Sequence, residues 1–159
     1  AVTAKVGTGG KVCLFTNVAT HLVVDVTGSY PVGSAFTSLT PGRVLETRSG
    51  LSTVDGQFNA VGLRAGGSVT ELPVAGRAGV PADAAAVVLN VTVTEPALAG
   101  FVTVYPCGVD RPNASSVNFV AGQTIANAVT AKVGTGGKVC LFTNVDTHLV
   151  VDVTGSFGS

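Results

Sequence analysis

Residues 138–157 read KVCLFTNVDTHLVVDVTGSF, and residues 11–30 read KVCLFTNVATHLVVDVTGSY. Within the later copy, HLVVDVT sets Leu149, Val151 and Val153 on one side of an extended chain and His148, Asp152 and Thr154 on the other. That period of two marks a strand with one face in a core. The duplication is wider than the quotation: residues 1–30 repeat residues 128–157, shifted by 127 positions, and differ only at Ala19/Asp146 and Tyr30/Phe157. Residues 31–127 have no second copy. A tandem array cut inside one unit reads this way. Residues 1–30 are therefore expected to be the C-terminal strands of a preceding repeat, 31–34 a junction rich in Pro, Gly and Ser, and 35–157 a complete repeat domain.

Other runs have the same short alternating character. In AVVLNVTVTE, Val87, Leu89, Val91 and Val93 share one face while Val88, Asn90, Thr92 and Thr94 point away. FVTVYP and KVCLFTN are similar, and 21 glycines and 7 prolines punctuate the chain between such runs. Valine and threonine dominate, and no window sustains a helical period. The expected fold is all-β, an antiparallel β-sandwich of jelly-roll type with about eight to ten strands. VPADAA offers a proline start for a short helix over Pro81–Ala86. GTGGK lacks the spacing and the following Ser/Thr of a phosphate loop and reads as a hairpin turn.

Composition removes several function classes. With 46% apolar and 11% charged residues the chain is not a disordered tail, and zero net charge with no basic block gives no footprint for nucleic acid or an anionic membrane. No apolar run is long enough for a spanning helix, so neither membrane insertion nor a nucleic-acid partner is expected, and any export signal or anchor is expected elsewhere.

Three cysteines are present, and Cys13 is the copy of Cys140. One repeat thus owns Cys107 and Cys140, which predicts a disulfide between them, an unpaired or intermolecularly paired Cys13, and an oxidising, extracellular or cell-surface location. The alternative is three buried thiols in a reducing compartment.

The ordered motifs resemble a domain repeated in secreted proteins of actinobacteria. They are Pro41, Arg43, Leu45, Glu46, Thr47 and Arg48; Val80 and Pro81 through Thr92; Gly100 through Gly108; Arg111, Pro112, Ser115 and Asn118; Gly122 to Asn127; and Gly137 through Phe157. Glu46 stands where the pattern has aspartate. The resemblance implies a secreted or surface setting in tandem copies, and no reaction.

Arg43, Glu46 and Arg48 form the densest charge cluster, and a bidentate arginine–carboxylate pair that pins the first strand or loop, with Asp152 as a candidate partner, is expected. A sugar-acid or phosphate site is the functional alternative. His148 and Asp152, like His21 and Asp25, share a strand face, but four residues of strand separate them by roughly 13 Å, so a structural role is favoured. Asn90, Asn113, Asn118 and Asn127 suit turn pinning or sugar hydroxyls. No nucleophile comes with a base, and no zinc spacing occurs, so neither an enzyme nor a cofactor or metal is expected.

Strands torn from a sandwich do not bury their apolar faces alone. Val2, Val6, Val12, Leu14, Val23 and Val26 are therefore expected to pack either on their own unit or in another chain, by strand addition or swapping. The leading expectation is a non-enzymatic structural or assembly module of a tandem-repeat surface protein or filament, with copies of itself or neighbouring repeats as partners. The alternative is a cell-wall or glycan-binding module, weakened by the absence of tryptophan and a tyrosine supply limited to Tyr30 and Tyr105.

Overall fold

A computed structural model describes residues 2–158 apart from 25, 27, 28 and 32. Strands occupy the alternating runs: β1 (Phe36–Glu46), β2 (Val69–Pro73), β3 (Ala86–Thr94), β4 (Gly100–Pro106), β5 (Val117–Phe119), β6 (Ile125–Lys132), β7 (Lys138–Thr143) and β8 (His148–Phe157). They form two four-stranded sheets, ordered β1-β8-β3-β6 and β2-β7-β4-β5. The pairs β1·β8, β2·β7, β3·β6 and β4·β5 are those of one long folded ribbon, and β3·β8 and β4·β7 are added when that ribbon rolls up. All are antiparallel. This is the jelly-roll arrangement that the alternation predicts.

The core lies where the inner faces meet. Val87, Leu89, Val91 and Val93 of β3 pack with Leu149, Val151 and Val153 of β8, and from the facing sheet Leu72, Val102, Val139 and Leu141 close over them. The edge strands β2 and β5 bury alternate residues, whereas the inner strands β3, β7 and β8 bury consecutive ones, and in both register fixes which side chains enter the core between the sheets. β1 carries Pro41 and Gly42 beside a register shift between Ser38 and Gly42. An edge strand tolerates that interruption because one side of it has no ladder to lose.

β7 and β8 hold a particular place. β8 lies between β1 and β3, and β7 lies between β2 and β4, so the segment from Lys138 to Phe157 supplies an inner strand to each sheet. Removing it would divide both sheets. This is the segment that residues 11–30 duplicate.

Two local expectations are corrected. Pro81–Ala86 is not helical: Ala84 N–H closes one turn onto the Pro81 carbonyl (3.2 Å), and Ala86 already pairs with Lys132 and Phe157 as the start of β3. One turn is too short to outweigh helix nucleation once strand partners are available. GTGGK does turn, through a single 3-10 turn at Thr135–Gly137, but it carries the chain from β6 in one sheet to β7 in the other instead of joining paired neighbours. Gly136 and Gly137 lie at φ of 70° and 72°, and a side chain at Gly134 would overlap the Cys107 backbone. Glycine is needed there for both reasons.

Candidate functional site

The repeated segment folds differently in its two positions. The described residues between Val2 and Pro31 contain no strand, and their apolar side chains are bare: Val12 is 47% exposed, Leu14 59% and Val26 88%, whereas their copies Val139, Leu141 and Val153 are each 0% exposed. Val2, Val6 and Val23 are likewise exposed. The expectation that these valines pack on their own unit is therefore not met within the single chain. The physical reason is occupancy: the places where their copies sit between β1 and β3 and between β2 and β4 are already filled by β8 and β7. Residues Ala4 to Cys13 instead lie along Thr40 and Pro41 and leave an open cleft of about 420 Å³.

One element of the segment keeps its shape outside the sandwich. Thr8–Gly10 forms the same 3-10 turn as Thr135–Gly137, with Gly9 at φ 71°, ψ 22° against 70°, 22° for Gly136. Gly7 N–H donates to the Lys11 carbonyl at 2.8 Å, as Gly134 N–H does to that of Lys138 at 2.9 Å. The turn is thus encoded locally, whereas the strands on either side depend on partners.

The charge cluster forms at the end of β1. Glu46 is fully buried, and both its oxygens are engaged: Oε1 accepts from Arg48 Nε (2.9 Å) and the Arg48 backbone N–H (3.1 Å), Oε2 from Arg48 Nη2 (3.0 Å) and Arg43 Nη1 (2.9 Å). Arg43 then reaches across the ladder, donating Nε to Asp152 Oδ1 at 2.9 Å from its register partner in β8. Burial alone would raise the Glu46 pKa; the hydrogen bonds from Arg48 and the charges of Arg48 and Arg43 outweigh it and hold the carboxyl below its ordinary range. The same pairing raises the already high pKa of Arg48. A carboxylate with four donors and no exposed surface fastens β1 to β8 and has no lone pair aimed at solvent for a substrate.

His148 and Asp152 do not meet. Asp152 serves Arg43, while His148 Nδ1 lies 2.8 Å from the Thr47 hydroxyl, which also accepts the Leu149 N–H at 2.9 Å. The copy Asp25 lies outside the described residues, and the described His21 is exposed. Asn127 donates to the Ser116 carbonyl at 2.8 Å, the loop pinning expected of it.

A second arginine pair escaped the sequence reading. Arg77, 6% exposed, grips Asp55 through Nε (2.7 Å) and Nη2 (2.9 Å) and also donates to the Pro73 and Gln57 carbonyls, tying the loop after β1 to the loop after β2. The Arg77 hydrogen bonds bring Asp55 down to about 2. Its only sequence signal is an arginine in a charge-poor chain, because both residues sit in irregular loops.

Cys107 and Cys140 are joined as a disulfide with Cα atoms 5.0 Å apart, fastening β7 to the end of β4. Cys13 is free and exposed. Among the described residues no group of three or more His, Cys, Asp or Glu is placed to hold a metal ion, and no helix is long and apolar enough to cross a membrane. A shallow depression of about 300 Å³ is lined by Phe101, Asn113, Ala114, Ser115 and Asn118. No family model matches the chain, and no curated protein or solved structure matches it. What its fold and residues define is a class: a disulfide-fastened jelly-roll sandwich that carries a second copy of its own two central strands.

Proposed function

We propose that the chain is a non-enzymatic structural module of an extracellular tandem-repeat surface protein or filament, in which residues 1–30 supply the central strands of an adjoining unit. One observation carries this reading. The same side chains that are closed into the core at Val139, Leu141 and Val153 stand in water at Val12, Leu14 and Val26. Exposed apolar surface of that extent marks an interaction site, and main-chain pairing with side chains in a fixed register supplies affinity and specificity together. A disulfide in a chain of this kind favours an oxidising location. The motif order supports a secreted repeat.

Association is expected to depend on the repeated segment. Light scattering over a concentration series, followed by negative-stain microscopy, should find dimers or polymers of residues 1–159 and only monomers once residues 1–30 are deleted. A head-to-tail contact would grow into a filament, and a reciprocal exchange would close as a dimer. Full-length monomers at every concentration would count against the reading. The second reading, glycan binding, is favoured by the depression whose lining brings Phe101 together with Asn113 and Asn118. Retention of the deleted chain on insoluble cell wall would support it.

A further inference from the structure

Each chain has one seat for a central strand pair and two segments able to fill it. We infer that residues 6–30 and residues 133–157 of the same chain are interchangeable occupants of that seat, so that the sandwich folds in two frames, closed by one copy or by the other. The inference rests on reading residues 1–30 as closing strands, and it adds a partner: the body of their own chain, β1 to β6.

The junction has the geometry that this exchange needs. Phe157 pairs with Phe36 across β8 and β1. Tyr30 is the copy of Phe157, and residues 31–35 separate it from Phe36. A connection of that length closes an antiparallel hairpin. Within it, Ser34 N–H donates to the Pro31 carbonyl at 3.1 Å, and Gly33 lies at φ 85°, in the left-handed region a tight turn requires. The Tyr30 ring lies 4.2 Å from Phe36 and 6.2 Å from Phe157, beside the place it would take. At the far end of the segment, Gly7 to Lys11 already holds the conformation that Gly134 to Lys138 holds in the seat. Covalent connection gives residues 6–30 a high effective concentration at their own body, which a second chain at micromolar concentration does not match.

One difference within the copies and one just beyond them set the balance. Asp146 Oδ1 accepts the Gly66 N–H at 2.7 Å, and Ala19 has no acceptor to offer. Gly158 N–H donates to the Ala35 carbonyl at 3.1 Å, and Pro31, which follows Tyr30, has no N–H. The loss of a hydrogen bond to a charged acceptor is an advantage on the order of tenfold for the C-terminal copy.

Exchange also moves the disulfide. Cys13 in the seat of Cys140 faces Cys107. Its thiolate attacks the Cys107 Sγ, the Cys107–Cys140 bond breaks as Cys13–Cys107 forms, and the electron pair leaves on the Cys140 Sγ, which takes up the proton that Cys13 gave up. One thiol and one disulfide become one disulfide and one thiol, with no net oxidation.

The test uses the full chain equilibrated in a glutathione redox buffer, trapped by alkylation and separated by size, with the disulfides of the monomer fraction mapped by mass spectrometry. Wild-type monomers should hold mostly Cys107–Cys140 and roughly one part in ten Cys13–Cys107. The Ala19→Asp/Asp146→Ala chain should show a severalfold rise in Cys13–Cys107, and Cys140→Ser monomers should be folded with Cys13–Cys107 as their disulfide. Absence of Cys13–Cys107 from the monomers of all three chains, or its confinement to dimers, overturns the inference. Self-association is a separate readout, so a chain that stays monomeric yet forms Cys13–Cys107 would sink the assembly reading alone.

Discussion

Replacing Glu46 by glutamine is expected to lower the stability of the domain by about 3 kcal/mol, because it removes one partner of a buried, hydrogen-bonded charge network and leaves two guanidinium groups facing a neutral amide. Arg43 and Arg48 are each about a third exposed along their side chains (32% and 31%), so water relieves part of the uncompensated charge and keeps the loss below that of a fully enclosed pair. Asp152→Asn is the control. Its carboxylate is partly exposed and, among the described residues, bonds to Arg43 alone, so its removal should cost about 1 kcal/mol or less. Urea unfolding at neutral pH measures both. The sign of the acid response follows from the depressed pKa of Glu46: its contribution is complete above the ordinary glutamate range and is lost as the pH falls through the lower folded-state value. Wild-type stability should therefore fall on acidification by more than that of the glutamine variant, and the two should converge at low pH.

Leu149→Ala should lower stability by about 3 kcal/mol, while Leu22→Ala in the identical local sequence should change it by less than about 0.5 kcal/mol. Leu149 is fully buried among β3 and the facing sheet, and Leu22 is exposed. The truncation leaves a cavity in one case and nothing in the other. Urea unfolding with Cys13 alkylated measures the full difference, because the Cys107–Cys140 bond then keeps β7 in its seat. In redox buffer the cost of Leu149→Ala should shrink toward the gap between the two frames, as residues 6–30 take over. Equal effects of the two substitutions would mean that both copies are packed alike.

Much of the sandwich was legible because its strands announce themselves by alternation. The inward faces of β3 and β8 are the residues that a period of two selects, and Arg43, Glu46 and Arg48 stand close enough in sequence to suggest their pairing. Strand order was not legible, since β1 pairs with a strand more than a hundred positions later and nothing local encodes that partner. Arg77 and Asp55 were missed for the same reason, each lying in a loop whose shape only the whole fold decides. GTGGK was readable as a turn from its glycines, but which strands it joins depends on how the ribbon rolls. The described residues among 11–30 make the limit plain: nearly the same letters form a strand pair in one context and no strand in the other, because a strand's stability lies in its neighbours.

Hydrogen exchange read by mass spectrometry, on the full chain at low and high concentration, tests the central claim most directly. Peptides spanning Ala19 or Tyr30 differ in mass from those spanning Asp146 or Phe157, so the two copies are resolved in one experiment. The account predicts that peptides from residues 2–30 exchange rapidly in the dilute monomer and gain protection as the chain associates, with a matching loss in residues 138–157, because each body has one seat for a central strand pair. Association that leaves residues 2–30 unprotected would contradict it, and would place the contact between units on another surface.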